Sequence, residues 1–314
     1  MSQTADVASI SVGQAKLPSR GLKRIHWLPY MLALPIILYE GVMLVYPIIQ
    51  GIWASFTKIE LASNIKPKWI GLANYARMVH DPDFWNSLRV TLTYTGLVIV
   101  VAIGVGLFTA MLFNRSFRFR GVARAALMLP WAFPEVPVVM LFIWVVNVQF
   151  GVINYLVRWI PGVTENPKWL QTPALAMGIV VMVAAWKAFP FYSLVILAAL
   201  QSVPQELYEA AKVDGASSSQ LFLHITIPGI RSTLELLVVL ALIFSFKQFN
   251  IIYLMTGGGP QLATETIVMR IYNVAFRFYD YSYGAAIAVG GLIFSLAIAI
   301  AFVILQARRE REFA

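Results

Sequence analysis

Long apolar runs alternate with short polar ones along this chain. A helix needs about 20 apolar residues to cross the hydrocarbon core of a bilayer. Six segments reach that length, namely 28–56, 88–113, 122–150, 173–200, 234–255 and 283–305. The pattern predicts one all-α integral membrane domain of six transmembrane helices over 28–306, between polar tails at 1–27 and 307–314. No small-residue cleavage pattern follows the first span, so we expect it to be an uncleaved anchor.

Composition supports a lipid environment and narrows the chemistry. The chain is 59% hydrophobic and 12% charged, against roughly 25% charged in soluble domains. It has no cysteine, which excludes disulfides, thiolate metal sites and cysteine nucleophiles. A net charge of +9 could suggest nucleic acid, but the cations lie in short loops and termini, as the positive-inside rule expects. We therefore predict a lipid bilayer as partner and no nucleic acid.

The distribution of lysine and arginine predicts the orientation. Cations in the two tails and in the loops around 115–124 and 201–232 outnumber those in the remaining loops. We therefore expect both termini to be cytoplasmic. The polar loop at 201–232 then also faces the cytoplasm.

That loop predicts two short helices joined by a glycine corner. Ser202 and Gln205 have capping-box spacing with Pro204 between them, which predicts a helix over 205–213. Asp214-Gly215 supplies its stop, because glycine adopts the left-handed conformation without steric penalty. Ser217 and Gln220 repeat the capping-box spacing and start a second helix, which Pro228-Gly229 ends before the next span.

The first loop helix has the surface of a docking element. Leu207, Ala210 and Ala211 share one face by their spacing. An amphipathic helix at the membrane surface is the alternative, but such helices usually carry lysine and arginine on the polar face. Here the charged residues are mostly acidic, which favours a protein partner: Glu206, Glu209, Asp214 and a single Lys212.

Four stretches together carry a family resemblance. They are Glu209-Ala210-Ala211 with Asp214-Gly215-Ala216, Phe222, Ile225 and Pro228; Gly71-Leu72-Ala73-Asn74-Tyr75; Leu129-Pro130-Trp131-Ala132-Phe133-Pro134; and Leu254-Met255-Thr256-Gly257-Gly258-Gly259-Pro260. The chain resembles the maltose-type permease subunits of bacterial carbohydrate ABC importers from residue 28 onward. One departure is Ser232, where such loops often have a second proline.

The resemblance implies a type I ABC importer permease fold and several partners. A second permease would complete a heterodimer, two cytoplasmic ATPases would bind the loops, and a periplasmic binding protein would deliver a sugar or sugar derivative. It also implies that the ATPase is coupled through Glu209, Ala210, Ala211, Asp214 and Gly215.

No cofactor or metal site is predicted in the chain itself. It contains no Gly-x-x-x-x-Gly-Lys-Ser/Thr sequence, so ATP is expected to be bound and hydrolysed by the partner subunits. The Gly257–Pro260 run is expected to be a loop. His26, His80 and His224 lie far apart, without metal-ligand spacing.

Ionisable residues at membrane depth mark pathways or ion pairs. Six occur within or near the predicted spans: Glu40, Arg89, Glu135, Lys187, Glu235 and Lys247. Arg89 and Glu235 are near helix ends. Glu135 lies among Pro130, Pro134 and Pro137, whose helix breaks should face the protein interior or a wet cavity.

Further candidates for the substrate path lie on the fourth and fifth spans. Helical spacing places Ser245 and Gln248 on one face with Ala241 and Ile252, and Lys247 and Asn250 roughly opposite. By the resemblance, Ser245 and Gln248 line the path; hydrogen bonding to the partner permease is the alternative. Trp186, which shares a face with Ser193 and lies beside Lys187, could pack on a sugar ring.

Lys187 and Lys247 raise the hypothesis of an anionic sugar derivative. The alternative is that they form structural ion pairs with Glu135 and Glu40. The outer loop at 57–87 is aromatic, so we expect a short interfacial helix there and a landing surface for the binding protein.

Two other classes of function are alternatives for a membrane protein of this kind. An ion-coupled secondary transporter of a small polar solute would need an intramembrane carboxylate relay and inverted repeats. Only Glu135 is central, and no repeat is evident. A membrane enzyme would need paired carboxylates, a metal cluster or a nucleophile–base set, and no such set is evident at an aqueous face. We predict no catalytic residue.

Overall fold

A computed structural model describes residues 27–59 and 67–312 of the chain. The predicted N-terminal tail, with His26, lies outside the described residues except for Trp27. Residues up to Ile49 form a unit of their own. That unit contains α1 (Trp27–Glu40), a π-helical turn (Gly41–Val45) and the start of α2 (Tyr46–Ser55).

The second unit, from Gln50 onward, is almost entirely helical. A short antiparallel pair, β1 (Thr57–Lys58) with β2 (Lys68–Trp69), precedes its helices. These are α3 (Ala73–His80), α4 (Pro82–Asn114), α5 (Arg120–Leu127), α6 (Leu129–Ala132), α7 (Glu135–Val145), α8 (Ile153–Val157), α9 (Pro173–Ser202), α10 (Gln205–Val213), α11 (Ser218–Leu221), α12 (Ile227–Gly229), α13 (Arg231–Phe246), α14 (Asn250–Met255), α15 (Ile267–Tyr272) and α16 (Tyr281–Glu312).

Four helical stretches of the described chain are long and apolar enough to cross a membrane unbroken: Tyr30–Ser55, Pro82–Asn114, Pro173–Ser202 and Tyr281–Ala301. Two bent pairs raise the number to as many as six. Arg120–Ala132 meets Glu135–Val145 at 89°, and Ser218–Gly229 meets Arg231–Phe246 at 66°. The second bend is present even though Ser232 replaces the family's proline. The all-α class with up to six spans is confirmed.

The structure corrects two predicted spans and one tail. The third span was predicted over 122–150 with helix breaks at its prolines; the break lies at Phe133-Pro134, and the last helix ends at Val145, before the predicted end. The fifth, predicted over 234–255, is interrupted between Phe246 and Asn250. The last helix continues to Glu312, so most of the predicted C-terminal tail is helical.

Proline spacing explains which carbonyls of the third span lack a helical hydrogen bond. A helical carbonyl accepts from the amide four residues later, and proline has no amide hydrogen. Pro134 therefore leaves the carbonyl of Pro130 without its helical donor, and Pro137 does the same for Phe133. Phe133 and Pro134 take extended backbone angles, and α7 starts in a new direction at Glu135.

The core of the second unit is centred on the packing of α4 against α9. Gly106 lies at their contact, where a Cβ atom would stand 3.0 Å from the Cβ of Tyr192 and 3.2 Å from the amide nitrogen of Ser193. The Thr109 hydroxyl donates to the Ser193 hydroxyl at 2.9 Å one turn away. A Cβ atom on Gly104, two residues earlier in α4, would meet nothing within 4 Å.

A buried charge cluster joins the segment before α4 to α15. The guanidinium of Arg270 lies 3.1 Å from Asp81, 3.1 Å from Asp83 and 3.6 Å from Glu265. Glu265 is 1% exposed and accepts from Asn273 at 2.6 Å. Burial raises the pKa of the Glu265 carboxyl, although Asn273 and Arg270 both favour its charged form. This cluster fixes the turn at 256–266 against the start of α4.

The aromatic loop at 57–87 is only partly the surface that the sequence suggested. It contains the expected short helix, α3. Trp69 and Trp85 are exposed, whereas Phe84 is buried and Tyr75 is half-buried, with its hydroxyl 2.6 Å from that of Ser55. Two of the four aromatic side chains therefore remain available to a partner, and the landing role stays a prediction.

We expect Gly106→Val to destabilise the protein by about 1–3 kcal/mol, because the added side chain overpacks the contact between α4 and α9. Gly104→Val is the matched control, since it makes the same change in the same helix without a neighbour. Unfolding of both variants in mild detergent by titration with sodium dodecyl sulfate measures the difference. Equal stabilities would contradict the close contact at Gly106.

Candidate functional site

A cavity of about 390 Å³ opens between the broken third span and the helices around it. Its walls come from α4, α6, α7, α9, α13 and α14, so it lies among the predicted spans. Most of its lining is aromatic or aliphatic, with a few polar groups. Cavities of this size and composition are typical of small-molecule sites.

Lys187 occupies the place where the third span breaks. Its Nζ donates to the carbonyl of Phe133 at 2.6 Å and approaches that of Pro130 at 3.5 Å. These are the two carbonyls that Pro137 and Pro134 leave without helical donors. The lysine therefore supplies from α9 the hydrogen bonds that the third span cannot make for itself.

Glu135 joins the third span to the interruption in the fifth. Its Oε1 accepts from the side-chain amide of Gln248 at 2.9 Å, and its Oε2 accepts from that of Asn250 at 2.8 Å. The sequence placed Asn250 on the opposite face from Gln248, which is wrong. The helix stops at Phe246 and restarts at Asn250, and this break turns both amides toward one carboxylate.

The cavity brings together four of the six residues predicted for the substrate path. Ser245, Gln248, Glu135 and Lys187 line it. Their contact with a substrate stays a prediction, but their convergence on one cavity is a structural fact.

Lys247 and Trp186 do not line the cavity. Lys247 is exposed, with its Nζ 5.1 Å from the centre of the Phe244 ring. Trp186 makes a T-shaped contact with Phe142, with ring centres 5.3 Å apart, and both rings pack against the hydrophobic core. The suggested ion pair between Lys187 and Glu135 is not formed either, because each side chain has other partners. A pairing of Lys247 with Glu40 stays a prediction.

Sequence reasoning missed the aromatic lining of the cavity, which consists of Tyr94, Trp131, Phe191, Tyr192 and Phe244. Trp131 and Phe191 stack with ring centres 6.4 Å apart and planes inclined by 21°. The proline-rich sequence around Trp131 was a usable signal, because a side chain at a helix break inside the protein faces the same space as the break.

The coupling loop, which we define as residues 201–232, has the predicted helix–corner–helix form. Helix α10 covers Gln205–Val213, and Gly215 has φ of +80°. The amides of Gly215 and Ala216 donate to the carbonyls of Lys212 and Ala211 at 3.1 and 2.9 Å, the two bonds of a Schellman motif. Ser217 and Gln220 make both bonds of the predicted capping box.

One predicted cap in this loop is wrong. Ser202 is the last residue of α9, and its hydroxyl donates back to the carbonyl of Ala199 at 2.8 Å. Pro204 takes the N-cap position of α10 without a side-chain cap. The second helix continues through a π-helical turn at Phe222–Thr226 and ends at Gly229, as the Pro228-Gly229 pair predicted.

The residues proposed for ATPase coupling lie on the surface of the described chain. Glu209, Ala210, Asp214 and Gly215 are exposed and Ala211 is half-buried. The loop is held by the hydroxyls of Tyr208 and Thr226, 3.1 Å apart. Among the described residues, no group of three or more histidine, aspartate or glutamate side chains could hold a metal ion.

We expect Lys187→Met to lower the free energy of unfolding by about 1–3 kcal/mol, because it leaves the Phe133 carbonyl without a donor. Lys247→Met is the matched control. It should lower the free energy of unfolding by under about 1 kcal/mol, because this exposed lysine contributes only its contact with the Phe244 ring. Detergent unfolding of the two variants checks this. Equal losses would show that Lys187 does not support the break.

Comparison with known proteins places this architecture. Residues 102–313 match the family model of the binding-protein-dependent transport system inner membrane component. The sulfoquinovosyl glycerol transport permease SmoG of Agrobacterium fabrum is 32% identical over 91% of each chain. The trehalose/maltose transport permease MalF of Thermococcus litoralis is 34% identical over 91% of this chain and 95% of that relative.

Solved structures agree with the sequence matches. Two structures of bacterial alginate ABC transporters align with TM-scores of 0.77 and 0.76, at 26% and 25% identity. Both alignments cover 90% of this chain, and 96% and 94% of the solved chains. One of the two holds a periplasmic protein with bound alginate pentasaccharide. The chain belongs to the family of inner membrane permease components of binding-protein-dependent ABC importers.

Proposed function

We propose that this permease forms, with a second permease subunit, the membrane path for a sugar or sugar derivative. The observation that carries the proposal is the cavity at the break of the third span, where aromatic rings surround hydroxyl, amide and charged groups. Aromatic faces pack on the apolar faces of sugar rings, and Ser245 and Gln248 offer hydrogen bonds to hydroxyl groups. The cargoes named for the relatives described above, sulfoquinovosyl glycerol, trehalose/maltose and alginate, are sugars or sugar derivatives.

The cavity favours an uncharged sugar over an anionic one. Of the two lysines behind the anionic hypothesis, Lys247 lies outside the cavity lining, and the ammonium of Lys187 is taken up by backbone carbonyls. The carboxylate of Glu135 shares the lining with Lys187. The formal charges of the lining therefore cancel, which leaves no net attraction for an anion.

Coupling is proposed to run through the exposed corner of Glu209, Ala210, Ala211, Asp214 and Gly215. Two ATPase subunits would bind and hydrolyse ATP, a periplasmic binding protein would deliver the sugar, and this chain would bind no nucleotide and carry out no chemistry. This arrangement requires the coupling loop and both termini to be cytoplasmic. The excess of cations in those segments supports that orientation.

A secondary transporter has less support from the contacts. Proton coupling through Glu135 would need a carboxylate free to exchange its proton during transport. Both oxygens of Glu135 instead accept side-chain amide hydrogen bonds, from Gln248 and Asn250.

We expect Gly215→Val to reduce sugar uptake by the reconstituted importer at least tenfold while leaving membrane insertion intact. Valine is disfavoured at φ +80° by about 1–2 kcal/mol, so the corner must change shape. Gly121→Val is the control, because that glycine lies in α5 with open space around it and no left-handed backbone.

The assay measures uptake into vesicles with ATP inside, before and after ionophores collapse the ion gradients. Uptake that needs internal ATP and survives the ionophores supports the proposal. Uptake that follows the ion gradient, or normal uptake by Gly215→Val, contradicts it.

We also expect a neutral sugar to bind the cognate binding protein at least tenfold more tightly than its phosphorylated analogue. The binding protein should select what the cavity accepts, and the cavity offers no cation free to receive a phosphate. Calorimetric titration of both compounds measures the ratio. Tighter binding of the phosphorylated compound would restore the anionic hypothesis.

A further inference from the structure

A second cavity, of about 370 Å³, lies between α4, α9 and the coupling loop. The end of α4 contributes Asn114 and Arg115, and α10 contributes Tyr208 and Lys212. The segments after the glycine corner close the other side. The cavity therefore joins a transmembrane helix to the loop proposed to contact the ATPase.

The charge of this cavity is entirely positive. Arg115 and Lys212 line it from separate elements, and no aspartate or glutamate does. Among the side chains that the structure describes, neither cation has a hydrogen-bond or ion-pair partner. This is unlike Arg124 and Arg231 nearby, which bond to the Phe113 carbonyl and to Glu235. Both cations are exposed and line the same cavity, so an anion bound between them would be attracted by both.

Neutral polar groups complete a binding surface around the cations. Asn114, Gln205 and Ser218 also line the cavity and can donate hydrogen bonds. The Tyr208–Thr226 contact holds one wall in place. Met111, Leu200, Leu221 and Phe222 supply an apolar side.

We propose that this cavity binds a phosphate group. Phosphate oxygens are bound by arginine and lysine together with neutral donors, which is the set present here. The apolar side would accommodate the glycerol and the first acyl carbons of a phospholipid, while the polar side alone would hold the phosphate of a soluble metabolite. A bound phosphate would link α4 to α10 across the cavity.

The experiment uses the full chain purified in mild detergent and measures binding alone, so its result does not depend on how transport is driven. Native mass spectrometry measures retention of phosphatidylglycerol against phosphatidylcholine, and calorimetry measures binding of inorganic phosphate. The variants are Arg115→Gln, Lys212→Gln and the charge-conserving Arg115→Lys. Arg120→Gln is the control, because that arginine is exposed in the neighbouring segment and does not line the cavity.

We expect each glutamine variant to weaken binding about tenfold, the effect of losing one charge-assisted hydrogen bond. Arg115→Lys should retain most binding and Arg120→Gln all of it. Sensitivity of phosphatidylglycerol retention to Arg115 and Lys212 would identify a lipid phosphate, and the same sensitivity for inorganic phosphate would identify a soluble one. If neither probe binds, or if all variants bind equally, the proposal is overturned. Arg115 and Lys212 would then be available to pair with carboxylates of a partner protein.

Discussion

Two backbone carbonyls in the third span have no helical donor, because the residues four positions later are Pro134 and Pro137. Within a bilayer the lipid offers no replacement, so the donor must come from the protein or from water in a cavity. Lys187 on α9 does so for the carbonyl of Phe133 and lies close to that of Pro130. This interaction fixes the 89° bend against a neighbouring long helix. The bend in turn opens the space that becomes the cavity, whose shape therefore depends on one side chain from a different span.

The same logic applies at the fifth span, where the helix is interrupted between Phe246 and Asn250. Gln248 within the interruption and Asn250 at its end both bond to Glu135, the first residue after the other break. A carboxylate at membrane depth is unfavourable unless it is hydrogen-bonded. Two amides satisfy it without a second charge. These hydrogen bonds thus connect the two discontinuous spans at their helix breaks. Movement of one break must therefore displace the other break or break the hydrogen bonds to the carboxylate.

The sequence predicted what depends on composition and local spacing, and failed where one segment's geometry depends on another. The apolar runs located the spans, and the Ser217 capping box and the Gly215 corner are local features that formed as expected. The placement of Asn250 assumed an unbroken helix. Trp186 was proposed because it shares a helix face with Ser193 and lies beside Lys187, but it is Trp131, at the bend, that lines the cavity. Arg270 was missed as a buried cation because two of its three acidic partners, Asp81 and Asp83, come from a distant part of the chain.

The charged side chains of the cavity have partners within the chain, whereas most side chains of the coupling loop are exposed. Around the cavity, Lys187 and Glu135 find partners within the chain. On α10, the acidic residues and the apolar Leu207 and Val213 are exposed, the latter two at 52% and 88%. A short helix with this surface gains little from its own chain beyond the Tyr208–Thr226 contact and the Schellman bonds at the corner. Those bonds make the corner stiff. A stiff corner can transmit a displacement of a partner bound to the loop to the transmembrane helices. An exposed surface on a stiff corner is therefore better explained by a protein subunit that covers it than by lipid, which would favour cations at the same positions.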